Sequence, residues 1–176
     1  MIEILWHGRG GQGAFTGAKL LGAAYCTEEG NFALAFPSFG PERRGAPMRA
    51  FTKLSKEPIG NRSALSCADF VVYLDETLLP ANPFGELKEG GKVLVNSAND
   101  FNDSRIVSID ADGISAQILG RSIPNTVLLG ALSVLCDEIS TESILAAIRD
   151  YMPQRLHQKN FDVVNEAVRV MEGGAR

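Results

Sequence analysis

Ile2-Glu3-Ile4-Leu5-Trp6-His7-Gly8-Arg9-Gly10-Gly11-Gln12-Gly13-Ala14 is the stretch whose reading decides the fold. The run over 2–6 is short, apolar and stopped by glycines, which predicts a buried strand. A helix is predicted over 14–29: Phe15, Leu20, Leu21, Ala24 and Tyr25 fall on one stripe, and Gly30 supplies its stop. Strand, glycine turn and helix in succession form the opening unit of an α/β protein. Working outward, strands are predicted over 32–36, 48–54, 70–74, 92–95 and 105–109. Helical turns are predicted over 77–87, and helices over 114–119, 126–138, 142–151 and 161–171. Pro37 cannot donate to a ladder and ends the second strand. Thr141 is a candidate N-cap for the helix at 142, with Ser140 competing for the place.

Most of these strands are continuous apolar runs, which calls for a sheet covered on both faces. The expected fold is α/β: a three-layer, Rossmann-like mixed sheet, mostly parallel, with helices on both faces. Because the helices crowd toward the C-terminus, some strands must pair without helical crossovers. The strand over 48–54 is the best candidate for an antiparallel or edge member. One domain is expected over 1–172, with 173–176 as a frayed tail.

Gly8, Gly10 and Gly13 satisfy the spacing of a dinucleotide-binding turn, in which glycines let the backbone approach a phosphate at a helix N-terminus. Such a site also wants an acid at the end of the second strand, to hold a ribose. That strand ends Leu34-Ala35-Phe36-Pro37-Ser38, with no carboxylate. Glycine is also favoured at such junctions for conformational reasons alone. Beside the discounted dinucleotide site, Gly8, Arg9, Gly10, Gly11, Gln12 and Gly13 therefore carry three readings: a turn with no ligand, a site for some other phosphate-bearing ligand, or a dock for an acidic group of another chain.

The second unusual segment is Phe36-Pro37-Ser38-Phe39-Gly40-Pro41-Glu42-Arg43-Arg44-Gly45-Ala46-Pro47. Its prolines reduce the entropy lost on docking, and arginine and aromatic residues are enriched at interface centres. Phe39, Gly40, Pro41, Glu42, Arg43, Arg44 and Gly45 are the expected interface. A solvated turn and an anion fork made by Arg43 or Arg44 are the alternatives.

Composition narrows the function classes. Lys and Arg number 17 against 21 Asp and Glu, a net charge of −4, with no basic stripe to follow nucleic acid. No apolar run reaches the length of a membrane span, and the N-terminus has no basic, signal-like region, so a cytoplasmic protein is expected. The three cysteines, Cys26, Cys67 and Cys136, are too few and too scattered for a cubane cluster and read as buried small hydrophobes. His7 and His157 sit in no metal-binding spacing, and no metal site is expected. No acid–base pair stands out; Asp75 and Asp110 end strands, where they serve function or cap helices.

Trp6 to Gly13 with Ala14 and Thr16, and Phe36 to Pro47, together resemble the gamma subunit of pyruvate:ferredoxin oxidoreductases. Glu57-Pro58-Ile59, Arg62-Ser63, the stretch Asp69 to Asp75 with Thr77-Leu78-Leu79, and Asn125-Thr126 with Leu129-Gly130-Ala131 are similar to shorter patterns of that family. The resemblance runs over about residues 1–172. It implies a multisubunit enzyme that oxidatively decarboxylates a 2-oxoacid, joins the acyl group to coenzyme A and reduces ferredoxin. Thiamine diphosphate and magnesium would lie in the alpha and beta subunits and 4Fe-4S clusters in delta and often beta, with no cofactor held by this chain alone. His7-Gly8-Arg9 and Glu42-Arg43-Arg44-Gly45-Ala46-Pro47 favour the pyruvate branch over the 2-oxoglutarate branch. The expected role is structural, with no catalytic residue, and the family's use of coenzyme A makes Gly8 to Gly13 a candidate place to hold that cofactor or another anion. The rival functions are a free-standing NAD(P)-dependent oxidoreductase and a flavodoxin-like carrier.

Overall fold

A computed structural model of the chain describes residues 1–38 and 44–173. Six strands and five α-helices follow in the order β1 (Ile2–Arg9), α1 (Ala14–Tyr25), β2 (Phe32–Pro37), β3 (Pro47–Ser55), β4 (Ala68–Tyr73), β5 (Leu87–Asn96), β6 (Ile106–Ile109), α2 (Ala111–Leu119), α3 (Asn125–Leu135), α4 (Thr141–Tyr151) and α5 (His157–Gly173). Two 3-10 turns, Glu76–Leu78 and Gln154–Leu156, interrupt the connections. The strands form one sheet in the order β2-β3-β1-β4-β5-β6. β1, β4, β5 and β6 run parallel, while β3 is antiparallel to both β1 and β2. The mixed, mostly parallel α/β sheet read from the sequence is the observed one.

Alternation along the strands divides the core. Trp6, Leu54, Val72 and Leu94 pack with residues from all five helices. Leu5, Phe51, Val71, Tyr73, Val93 and Val95 face the other way. Both faces are covered, as continuous apolar strands require, but unequally. The α-helices share one face; the helix on the other is the single 3-10 turn bearing Leu78, helped by loop residues Leu65, Phe84 and Phe101. Of the helical turns expected over 77–87, the chain between β4 and β5 makes only the 3-10 turn at Glu76–Leu78. Pro80 and Pro83 remove backbone donors and push the residues before them out of the α region.

The remaining differences are local. β3 is antiparallel as expected, but β2 takes the edge. α1 stops at Tyr25 and the chain turns through Gly30, whose φ is +84°. Ser140 caps α4, its side chain accepting the Ser143 N–H at 3.1 Å. Cys136 is buried as expected, while Cys26, just past the end of α1, and Cys67, in the loop before β4, are exposed.

The helical side is more than one layer deep. In α3, Asn125 through Leu132 are all buried, the all-round burial of a helix with neighbours on every side. Gly130 permits the close contact with α5: a Cβ there would lie 2.8 Å from the Val164 carbonyl oxygen and 2.9 Å from the Ala167 Cβ. Gly130→Ala gains about 1 kcal/mol of helix propensity but forces two helix backbones apart, an overpacking cost of about 1–3 kcal/mol. The expected net result is a lower urea midpoint with the fold retained; a raised midpoint would show that α3 and α5 are not packed this closely.

Candidate functional site

β1 is where the chain changes side: α1 leads out to β2 and β3 on one flank, and β4 follows on the other. In open α/β sheets ligands lie at such a switch point, beyond the C-terminal ends of the strands. Here that crevice lies between the ends of β1 and β4, and side chains of the glycine turn bridge it. Arg9 Nε donates to Asp75 Oδ2 at 2.9 Å, one terminal nitrogen donates to the Thr77 hydroxyl at 2.9 Å, and the other to the Gly45 carbonyl at 3.2 Å. Gln12 folds back, its Oε1 accepting the Arg9 N–H at 2.7 Å and its Nε2 donating to Asp75 at 3.2 Å. Asp75 also accepts the Thr77 N–H at 3.0 Å and so caps the 3-10 turn.

Gly13 ends the turn in the left-handed region, φ +84°, and a Cβ on it would sit 2.5 Å from the Asn125 Nδ2 at the start of α3. Conformation and space both demand glycine. Gly8 is buried at the end of β1, Gly11 is exposed, and Gly10 makes a parallel bridge to Arg44, donating to the Ala46 carbonyl at 2.9 Å and accepting the Gly45 N–H at 2.9 Å. The turn and the edge of the basic loop, distant in sequence, are therefore one structure. Of the expected interface, Arg44 and Gly45 are exposed; Phe39, Gly40, Pro41, Glu42 and Arg43 lie outside the described residues.

On the face away from the α-helices, a second cluster adjoins. The His7 ring stacks on Tyr73, centroids 4.6 Å apart and 6° from parallel. Its Nε2 is 2.7 Å from Glu86 Oε2, and Glu86 Oε1 accepts from Arg49 at 3.2 Å. Together with Ser38, Pro47, Met48 and Leu78, His7 and Arg49 line a cavity of about 320 Å³. Burial lowers the His7 pKa and outweighs the opposing pull of Glu86, so the ring is neutral near pH 7 despite its carboxylate partner. Burial, with the charge of Glu86, pushes the Tyr73 phenol up to about 12. Sequence reasoning had no means of finding this cluster. Glu86 comes from a loop 79 residues from His7 and belongs to no motif.

Asp110 accepts the Gly113 N–H at 2.8 Å as the N-cap of α2, so both strand-end aspartates have capping roles. Among the described residues no three His, Cys, Asp or Glu side chains converge as metal ligands would.

Partial burial would raise the Asp75 pKa, but hydrogen bonds from Thr77, Gln12 and Arg9 overcome it and leave the group below its ordinary value. A depressed folded-state pKa stabilises above the unfolded value, and that contribution is lost as pH falls through the folded one. The bridge is therefore intact at neutral pH, and its contribution is lost only as the pH falls below the ordinary carboxylate range, through the depressed folded-state value. Asp75→Asn is expected to cost about 1–3 kcal/mol at neutral pH and to flatten the acid limb of the stability curve. Urea titrations at about pH 7 and pH 3 check both; an unchanged acid limb would remove Asp75 from the bridge.

The dinucleotide reading fails on topology. β3 is inserted between β1 and β2, so the end of β2, where a ribose-binding acid would sit, lies two strand spacings from β1, about 10 Å, instead of one. Comparison with known proteins supplies the positive identification. Residues 3–170 match the pyruvate ferredoxin/flavodoxin oxidoreductase family. The pyruvate synthase subunit PorC of Methanothermobacter marburgensis is 44% identical over 175 residues, 98% of each chain. The common subunit gamma of the pyruvate/ketoisovalerate oxidoreductases of Thermococcus kodakarensis is 40% identical over 177 residues, 95% of each chain. The crystal structure of pyruvate oxidoreductase subunit PORC from Thermotoga maritima superposes with a TM-score of 0.82 at 36% identity, covering 96% of this chain and 95% of that one. The chain belongs to the pyruvate ferredoxin/flavodoxin oxidoreductase family and is the gamma subunit of a 2-oxoacid:ferredoxin oxidoreductase.

Proposed function

We propose that this gamma subunit shapes and docks its enzyme and contributes no acid, base or redox group of its own, while its glycine turn helps to hold coenzyme A. One observation carries the first part: Arg9, Asp75, His7, Arg49 and Glu86 engage one another. Arg9 is paired with Asp75, and Glu86 holds both His7 and Arg49. Such a set fixes geometry: Asp75 and Glu86 are committed to neighbouring side chains, and the His7 ring is held between Tyr73 and Glu86. The enzyme it completes would convert pyruvate and coenzyme A to acetyl-coenzyme A in the cytoplasm and pass the electrons to ferredoxin. Alpha, beta and delta subunits would carry the thiamine diphosphate, magnesium and 4Fe-4S clusters. That the Thermococcus kodakarensis relative is a subunit common to pyruvate and ketoisovalerate oxidoreductases supports placing the choice of oxoacid in other subunits.

The fit to coenzyme A rests on α1. Its N-terminus has no side-chain cap and no acidic residue in the first turn, so its leading N–H groups suit a diphosphate. Arg9 has three of its five N–H donors engaged and adds positive charge beside the turn.

The tests use the assembled enzyme. Thr16 is exposed in the first turn of α1, and a glutamate there suits the helix while repelling an anion. Thr16→Glu should raise the KM for coenzyme A about tenfold with kcat little changed; an unchanged KM would remove the turn from coenzyme A binding. Charge reversal of Arg43 and Arg44 to glutamate should weaken subunit assembly by about 2–5 kcal/mol while this chain stays folded. Complex of normal yield from that variant would move the docking surface elsewhere. The chain alone should show no oxoacid oxidase activity, with activity returning when the other subunits are added.

A further inference from the structure

A cavity of about 380 Å³ lies between the end of α2, the start of α3 and the first turn of α5. Arg121, Arg155 and Lys159 line it, each exposed, and no carboxylate does. Among the described residues none of the three has a carboxylate within ion-pair distance. Three uncompensated cations around one concavity contrast with a chain whose net charge is −4. Arg155 and Lys159 are four residues apart across the 3-10 turn and the opening of α5, a spacing at which like charges repel on a helical surface. Converged cations in a cleft focus positive potential and attract an anion, and guanidinium forks match phosphate oxygens in particular.

The interior selects further. Asn125 and Asn160 are buried, and their amides are already occupied: Asn160 accepts from the Thr126 hydroxyl at 2.9 Å and donates to the Leu156 carbonyl at 2.8 Å, and Asn125 accepts the Thr126 N–H at 2.9 Å. They leave little hydrogen bonding for a ligand's body. Much of the remaining lining is aliphatic, Ile123 and Leu156 among it. Cationic groups beside an apolar hollow of this volume suit an anionic head on a compact, largely apolar body, within the size range of small-molecule sites.

We infer that this cavity is a binding site for a small organic phosphate, a phosphomonoester or diphosphate, held by Arg121, Arg155 and Lys159. The cavity meets the glycine turn through Asn125, which abuts Gly13, but its three cations lie elsewhere, after α2, in the second 3-10 turn and in α5, and the inference does not depend on coenzyme A binding at the turn. A concave pocket favours a small molecule over an acidic segment of another subunit, which would be better matched by a flat basic patch.

The full-length chain, isotopically labelled, is titrated with pyrophosphate, adenosine 5′-monophosphate and adenosine. The expected result is saturable chemical-shift change centred on 121–125 and 155–160 for both phosphates, weakened by added salt, with adenosine binding at least about tenfold more weakly than its monophosphate. Arg155→Gln with Lys159→Gln, both exposed and free of side-chain partners among the described residues, should lower the affinity for the monophosphate about tenfold while the rest of the spectrum stays unchanged. Thr16→Glu should leave this binding intact, which separates the site from the glycine turn. The inference is overturned if neither phosphate gives saturable shifts, if the shifts centre on 10–16, if adenosine binds as tightly as its monophosphate, or if the double variant binds normally. Protection of Lys159 from acetylation on assembly, with no response to either phosphate, would equally overturn it in favour of an acidic segment of a neighbouring subunit.

Discussion

The indole of Trp6 is fully buried between the sheet and α1, and its N–H must find an acceptor there. It finds the Thr52 hydroxyl at 3.0 Å, and Thr52 in turn donates to the Ala18 carbonyl at 3.1 Å. Gly17 lets the helix close over the ring, since a Cβ at that position would lie 3.3 Å from it. This relay joins β1, β3 and α1 and fixes where the helix rests on the sheet. The glycine turn, whose two ends belong to β1 and α1, inherits its position from that contact. Among the described residues no buried side-chain nitrogen or oxygen lacks a partner, so the relay is part of a fully satisfied core.

Once α1 is fixed, Gly13 meets Asn125, and the deeply buried α3 is tied to the same turn. The two halves of the chain are thereby joined. The sheet and α1 come largely from the first 110 residues, and the other helices from the remainder. The asymmetry of the layers follows from this order. Helices that arrive after the last strand pack together, two deep, on the side where α1 already lies. The opposite face receives only what the connections between strands can offer.

That thinner face carries His7, Tyr73, Glu86 and Arg49, which stiffen it by stacking and ion pairing in place of a helical layer. At its edge, Gly10, Gly45 and Ala46 are joined by backbone hydrogen bonds, so the glycine turn and the end of the basic loop at 44–46 are held as one surface. For a subunit whose relatives work within larger oxidoreductases, a rigid surface is useful: preorganised side chains and backbone lose little entropy on docking. Charges satisfied within the surface also cost less to bury against another chain than free ones.

The sequence by itself determined the class of fold, most of its elements and the family. Apolar runs, glycine stops and the two long motifs are local, short-range signals that survive without coordinates. It singled out two segments as candidates, His7–Gly13 and the loop ending at Gly45, and it marked Asp75 as a strand-end carboxylate. Only the tertiary structure decided that β3 inserts between β1 and β2, that Asp75 closes onto Arg9 across 66 residues, and that Glu86 reaches His7 across 79. Only it gathered Arg121 with Arg155 and Lys159 around one cavity. The physical reason is that strand order and charge pairing depend on which surfaces meet after the chain has collapsed. Periodicity and turn chemistry report what each segment does with its nearest neighbours along the chain, and contain no record of a partner brought in from elsewhere.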